Sequence, residues 1–292
     1  MKILITGADG MLGSALCPEL LKRKHEIYPT DLSPSNKESE YLDVRSFRQV
    51  EKAFEKVQPD LVMHLAAETD VDKCELNPDH AFLTNTIGTQ NVTLLCQKHN
   101  ILMVYISTIG VFYGDKPEPY TEFDNPNPIN IYGRSKLEGE KIVQDLLDKY
   151  YIVRAGWMVG GGPKRDKKFI AKIINQINEK KVIKAVNDKI GSPTYTVDFS
   201  KCLANLIETE FFGLYHCTNK GYGSRFDVAK EIMSILERPD VTVEPVCSAF
   251  FPLPAPRARS EMSINYKLQL LEMNSTRNWE DALKDYLNSY WK

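Results

Sequence analysis

Three observations assign the chain to the doubly wound parallel-sheet (Rossmann) α/β class. Short apolar segments alternate with amphipathic helical ones through the first half. The first strand runs into a glycine-rich turn that opens a helix. The second strand closes on a carboxylate, Asp31. Strands that are apolar on both faces belong in parallel sheets covered by helices, with right-handed crossovers.

Taken in order, Lys2–Thr6 is a short apolar strand, and Met11, Leu12, Ala15, Leu16, Leu20 and Leu21 then recur at helical spacing. Glu26–Thr30 is the second strand. An amphipathic helix over Ser46–Val57 carries Phe47, Val50, Phe54 and Val57 on one face, and Leu61–Leu65 is the third strand. Residues 80–98 read as one helix, and Met103–Ile106 as a fourth strand. Pro117, Pro119, Pro126 and Pro128 make residues 114–131 an extended loop. Tyr132–Lys149 is a helix and Tyr151–Val153 a fifth strand. Beyond residue 155 the alternation loosens: Gly160, Gly161, Gly162 and Pro163 punctuate it, a helix spans Phe169–Lys180, and residues 239–260 are proline-rich. The expected division is a dinucleotide-binding unit over residues 1–155. Residues 156–292 are mainly a smaller substrate-binding unit, with some segments returning to the sheet.

The bulk numbers narrow the function. A chain of 292 residues has ample core, and a net charge of −2 creates no basic field for nucleic acid. No apolar run is long enough to span a bilayer, and the N-terminus has no apolar leader pattern, so a cytoplasmic protein is expected. The six cysteines form no CxxC and no Cys/His spacing of a zinc site. Reduced, mostly buried thiols and no metal are expected.

After the first strand comes GADGMLG, with Gly7, Gly10 and Gly13 spaced G-x-x-G-x-x-G. Between a strand and a helix, this pattern points to a dinucleotide diphosphate. One glycine permits the sharp turn and another the close approach of the anion. The helix start, at Met11 and Leu12, offers unpaired N–H groups. Asp31 lies 18 residues beyond Gly13, where a carboxylate accepts both ribose hydroxyls and repels a 2′-phosphate. NADH is therefore expected over NADPH, with NADPH not excluded. Asp43, followed by Val44, suits either the adenine edge or a capping or surface role. Ala66 and Ala67 are small enough to let a cofactor lie against the sheet edge.

Tyr132 and Lys136 form Y-x-x-x-K in IYGRSK and share one helix face. A free phenol, with a pKa near 10, exchanges protons poorly at neutral pH, and a nearby ammonium favours its ionised form. The pair suits general-acid work on a carbonyl oxygen, and the hydroxyl of Thr108, at the end of the fourth strand, can bond the same oxygen. His64, at a strand end, reads as a core histidine.

The conjunction resembles the extended short-chain dehydrogenases/reductases. More narrowly, GADGMLG, HLAAETDVDKCE, the STxxVF core of STIGVFYG, PYTEFDNPNPINIYGRSKLEGE, VRAGW and GSPTYTVDF resemble the dTDP-4-dehydrorhamnose reductase family over nearly the whole chain. The resemblance implies hydride transfer from NAD(P)H to C4 of a 4-keto-6-deoxy sugar on a nucleoside diphosphate, in deoxysugar (rhamnose) biosynthesis. It implies Tyr132 as proton donor, Lys136 on the nicotinamide ribose, and Thr108 orienting the carbonyl. It places Val71, Asp72 and Trp157 near the sugar. A homodimer is compatible with it.

Two stretches depart from the family pattern. Ile109 and Gly110 stand where the family usually has Asp-Tyr, and RARSE (Arg257–Glu261) replaces an R-P-x-x-S pattern. The missing acid after Thr108 argues against sugar-nucleotide dehydratase chemistry. Losing polar contacts to the sugar costs about 1–3 kcal/mol unless another residue compensates. Arg257 fits a diphosphate clamp or a surface arginine, and Lys164, Arg165, Lys167 and Lys168 fit a phosphate contact or a solvated face. Trp157 fits a sugar-stacking or a core position. Two alternatives stay open: an NAD-dependent nucleotide-sugar 4-epimerase, and a non-catalytic regulatory subunit of the kind found in methionine adenosyltransferase.

Overall fold

The structure is a computed structural model that describes residues 1–177 and 179–292. Its first half comprises β1 (Lys2–Thr6), α1 (Gly13–Lys22), β2 (Glu26–Asp31), β3 (Glu40–Tyr41), α2 (Phe47–Val57), β4 (Leu61–His64), α3 (Val71–Leu76), α4 (Pro78–Phe82), α5 (Gly88–His99), β5 (Leu102–Thr108), α6 (Ile131–Leu146) and β6 (Tyr150–Ala155). The second half continues with β7 (Trp157–Val159), α7 (Gly162–Arg165), α8 (Phe169–Ile177), β8 (Val182–Val186), β9 (Ile190–Gly191), β10 (Pro193–Tyr195) and α9 (Thr196–Leu206). It closes with β11 (Gly213–Cys217), β12 (Gly223–Ser224), α10 (Arg225–Ile235), β13 (Thr242–Val246), β14 (Ser260–Glu261), α11 (Tyr266–Leu270) and α12 (Trp279–Tyr290).

Seven parallel strands form one sheet in the order β11-β6-β5-β4-β1-β2-β3. The order reverses between β1 and β4, where Thr6 lies beside His64. In such sheets the crevice beyond the strands' carboxyl ends at this reversal is where ligands bind. Successive side chains on a strand point to opposite faces. Ile3 and Ile5 accordingly pack with Leu16, Leu20, Phe199 and Leu203, while Leu4 packs with Val50, Phe54, Val92 and Val143. A third apolar cluster, with Ile170, Ile174, Ile183, Val228, Ile232 and Leu283, is built wholly from the second half. Among the described residues no helix is long and apolar enough to cross a membrane.

The predicted helix over residues 80–98 is in three pieces. A π-helical turn, Leu83–Ile87, separates α4 from α5. The buried Asn85 in that turn bonds the Glu68 backbone and Ser135. Such turns recur at functional sites. β5 runs two residues further than expected, because Ser107 and Thr108 pair with Arg154 and Ala155. The helix predicted to reach Lys149 ends at Leu146, where Leu147 turns to extended backbone before β6. The predicted helix over Phe169–Lys180 runs to Ile177, and Asn178 lies outside the described residues. The sheet's seventh strand, Gly213–Cys217, comes from the second half and pairs with β6.

Candidate active site

The GADGMLG turn is shaped by backbone contact. Gly7 has φ +73°, and a Cβ there would sit 2.7 Å from the Ala66 nitrogen. A Cβ on Gly13 would sit 2.1 Å from the Ala8 carbonyl oxygen, so α1 packs directly on the preceding turn. Gly10 differs, for a Cβ there would meet only the Gly7 carbonyl, at 3.3 Å. What lies above Gly10 is open space. The N-cap of α1, Leu12, supplies no side-chain cap; Gly10 N–H bonds the Gly7 carbonyl and Ser14 N–H the Gly10 carbonyl, while the N–H groups of Met11 and Leu12 have no partner among the described residues. Among the described residues no side chain caps the helix start, which fits an anion such as a diphosphate. Ala66 and Ala67, just beyond β4, are partly exposed, and Ala66 abuts the glycine turn at Gly7.

At the far end of β2, Asp31 accepts the Asp9 N–H at 3.1 Å and the Ser33 N–H at 2.9 Å. Asp9 gathers donors from Ser35, Asn36 (2.7 Å) and Ser39 (2.8 Å). Burial pushes the Asp9 carboxyl upward, but these bonds and the nearby Arg165 charge outweigh it, and its pKa is lowered. Two carboxylates, Asp9 and Asp31, therefore lie together at the carboxyl end of β2. Asp43 is tied to its neighbour Arg45. Its carboxylate is held bidentately by Arg45, at 2.8 and 2.7 Å, and this pairing lowers its pKa. Val44, next to it, is buried against Gly88.

Thr108 and Tyr132 lie together at the carboxyl end of β5, and Lys136 follows Tyr132 by one turn of α6 with its ammonium over the Tyr105 ring. Asn130 caps α6 by accepting the Gly133 N–H at 2.8 Å, and Gly133 packs so closely that a Cβ would sit 2.4 Å from the Gly110 carbonyl. This fixes the first turn of α6, and Tyr132 with it, against the Thr108 loop. Burial raises the phenol's pKa, and the nearby Thr108 hydroxyl only partly opposes it; the charge of Glu261 adds to the rise. The expected lowering by Lys136 is not seen, because the Lys136 ammonium sits 4.1 Å above the Tyr105 ring instead. Lys136 is itself 3% exposed, and burial holds its pKa down to about 7 although Glu140 pulls it up.

Behind Lys136 lies a buried ion pair. Glu140 accepts from Arg154 Nε at 2.8 Å and from its terminal nitrogen at 2.6 Å, and both side chains are closed to solvent. Ser107, Arg154 and His216 stand side by side on β5, β6 and β11. His64 bonds Thr6 (2.7 Å) and Thr89 (3.1 Å), stacks on Tyr105, and is held by burial at a pKa of about 3. It is a neutral core histidine.

Of the residues expected near the sugar, Val71 opens α3 behind its Asp70 cap. Asp72 and Arg257, read separately from the sequence, form an ion pair at 2.9 Å, and Asp72 also accepts the Ala255 N–H. The Asp72–Arg257 pair and the Ala255 N–H together join the 250s loop to α3. Arg165 donates to the Asp9 carbonyl beside the glycine turn, whereas Lys164, Lys167 and Lys168 are exposed. One face of the Trp157 ring is taken by the Arg225 guanidinium at 3.7 Å, and the indole N–H donates to Glu261. Ile109 is buried with Val111, Phe112 and Tyr120, so the position of the family's carboxylate points into a small apolar core. Glu261, Asn85 and the Glu140–Arg154 pair were missed by sequence reasoning. Only Glu140, one turn beyond Lys136, left a local signal.

A family model described as the RmlD substrate binding domain matches residues 1–291. The dTDP-4-dehydrorhamnose reductase of Mycolicibacterium smegmatis is 32% identical over 97% of this chain and 84% of its own length. Spore coat polysaccharide biosynthesis protein SpsK of Bacillus subtilis is 33% identical over 98% and 96%. The solved structure of a dTDP-4-dehydrorhamnose reductase from Clostridium acetobutylicum is 39% identical, covers 99% of both chains and superposes with a TM-score of 0.92. That from Bacillus anthracis, in complex with NADP, is 38% identical over 99% of both chains, with a TM-score of 0.90. With matches that run the length of the chain, the protein belongs to the dTDP-4-dehydrorhamnose reductase (RmlD) family of extended short-chain dehydrogenases/reductases.

Proposed function

We propose that the protein reduces the C4 ketone of a nucleoside-diphosphate 4-keto-6-deoxy sugar, with dTDP-4-dehydrorhamnose as substrate. The observation that carries this reading is the meeting of Thr108, Tyr132 and Lys136 beside a glycine turn with an uncapped helix start. The turn at Gly7, Gly10, Met11 and Leu12 would hold the diphosphate of a nicotinamide cofactor, with Ala66 and Ala67 beneath it. The bound nicotinamide supplies the hydride.

The chain's own residues handle the oxygen. Thr108 donates a hydrogen bond to the ketone oxygen and fixes its direction. Tyr132, kept protonated by burial, gives its proton to the same oxygen as negative charge develops there. Lys136, whose ammonium rests on the Tyr105 ring, would bond the nicotinamide ribose and hold the cofactor beside the ketone. The Asp72–Arg257 pair closes the sugar side and keeps the 250s loop in place. Asp31 and Asp9 together disfavour a 2′-phosphate, so NADH is the preferred donor and NADPH the poorer one.

The test is turnover of dTDP-4-dehydrorhamnose with each reduced cofactor, and identification of the product as the 4-hydroxy sugar nucleotide. Cofactor oxidation without formation of that product refutes the substrate assignment. A preference for NADPH removes Asp31 from its discriminating role.

A further inference from the structure

The loop after Thr108 lacks the acid and phenol of its family, yet the space beside it holds a carboxylate. Gly110 is not in a left-handed conformation, so its backbone does not require glycine. What glycine provides there is room. A Cβ on Gly110 would meet Thr108 Oγ1 at 3.3 Å and Glu261 Oε1 at 3.5 Å. The catalytic hydroxyl and the Glu261 carboxylate therefore border the same small volume.

Glu261 is held in place from behind. Its strand, β14, pairs with β9 and sets Glu261 beside Gly191. Gly191 is in turn pressed against Trp157: a Cβ there would lie 2.3 Å from Cε2 of the indole. The Trp157 N–H donates to Oε2. Arg225 stacks on the same indole, and the charge of Glu261 acts on it. Oε1 has no hydrogen-bond partner among the described residues. The charge of Glu261 is also felt at Tyr132. One carboxylate oxygen is thus anchored, and the other borders the space over Gly110 that the Thr108 hydroxyl also borders.

We propose that Glu261 is the sugar-specificity residue of this site, its Oε1 accepting a hydrogen bond from a hydroxyl on the carbon next to the ketone, in the space left by Gly110. The inference rests on the keto-sugar reading above. Positions 110 and 261 act as a pair: glycine at 110 admits the glutamate, and a large side chain at 110 displaces it.

The experiment compares Glu261→Ala, Glu261→Gln, Gly110→Tyr and the double variant Gly110→Tyr/Glu261→Ser. The readouts are kcat and KM with dTDP-4-dehydrorhamnose, and calorimetric affinities for dTDP-rhamnose and for dTDP. Glu261→Ala lowers affinity for dTDP-rhamnose and kcat/KM at least tenfold, and leaves dTDP affinity within twofold. Glu261→Gln, which keeps an acceptor oxygen, recovers part of the loss. Gly110→Tyr is at least tenfold impaired, and the double variant is better than it. A purely structural role would weaken dTDP and dTDP-rhamnose alike, and that outcome overturns the proposal. So does Glu261→Ala with both affinities unchanged. If the wild-type protein turns over the keto sugar while Glu261→Ala matches it, only this inference fails. If the wild type neither turns it over nor binds dTDP-rhamnose more tightly than dTDP, the functional reading fails and takes the inference with it.

Discussion

Replacing Glu140 with Gln tests the buried charge arrangement behind the catalytic pair. Arg154 directs two of its nitrogens at Glu140, at 2.8 and 2.6 Å, and its third has no partner among the described residues. Removing the Glu140 charge therefore leaves a guanidinium that is 3% exposed without a counter-ion. Breaking a buried pair from one side costs about 3–5 kcal/mol. In a chain of this length that lowers Tm by roughly 5–10 °C. There is a second, separable effect. Glu140 is the main group that raises the Lys136 pKa against burial, which holds it to about 7. Without Glu140 that pKa falls further. The active ammonium form is lost as pH rises through the Lys136 pKa, so the alkaline decline of kcat moves to lower pH. Thermal melts and a kcat–pH profile of Glu140→Gln measure both. Removing both charges together, as Glu140→Gln/Arg154→Met, restores most of the stability but not the pH profile. A loss below about 1 kcal/mol, or a double variant no more stable than the single one, refutes the argument.

Further outcomes follow from the same geometry. Gly13→Ala must displace backbone, because its Cβ would be 2.1 Å from the Ala8 carbonyl, and loses about 1–3 kcal/mol of stability along with cofactor binding. Gly10→Ala, with only one contact at 3.3 Å, melts near the wild type and raises the cofactor Kd. Two near-normal melts would show that the turn is not packed as described. His64 and His216 are buried and held at pKa values of about 3, below the unfolded 6.5. Their contribution is intact above pH 6.5 and is lost as pH falls toward 3. At pH 5 each costs about 2 kcal/mol, which urea titrations across that window would detect. Asp31→Ala narrows the NADH over NADPH ratio of kcat/KM at least tenfold, and an unchanged ratio assigns the discrimination elsewhere.

Much of this was legible in the sequence because its signals are local. The alternation of Ile3, Leu4 and Ile5 fixes two core faces, and Gly7 and Gly13 announce a turn with no space for side chains. What escaped depends on contacts between distant segments. The π-turn at Asn85 is invisible to periodicity, because its cause is a set of bonds to Glu68 and Ser135. The phenol of Tyr132 was expected to be lowered by Lys136 from helical spacing alone, yet the lysine's partner is the Tyr105 ring and burial decides the direction. Ile109 and Gly110 reveal a missing carboxylate, but nothing near them points to Glu261 on a strand assembled much later in the chain. Asp72 and Arg257 each invited a separate role, and only the folded chain joins them.

The central claim is that Tyr132 delivers the proton to a sugar ketone. The direct measurement is NADH oxidation on dTDP-4-dehydrorhamnose by the wild-type protein and by Tyr132→Phe, with cofactor binding checked in both. The account predicts turnover by the wild type, and a loss of at least a hundredfold in kcat for Tyr132→Phe with cofactor affinity preserved. Comparable turnover by the two proteins, or none by the wild type while NADH still binds, would contradict it.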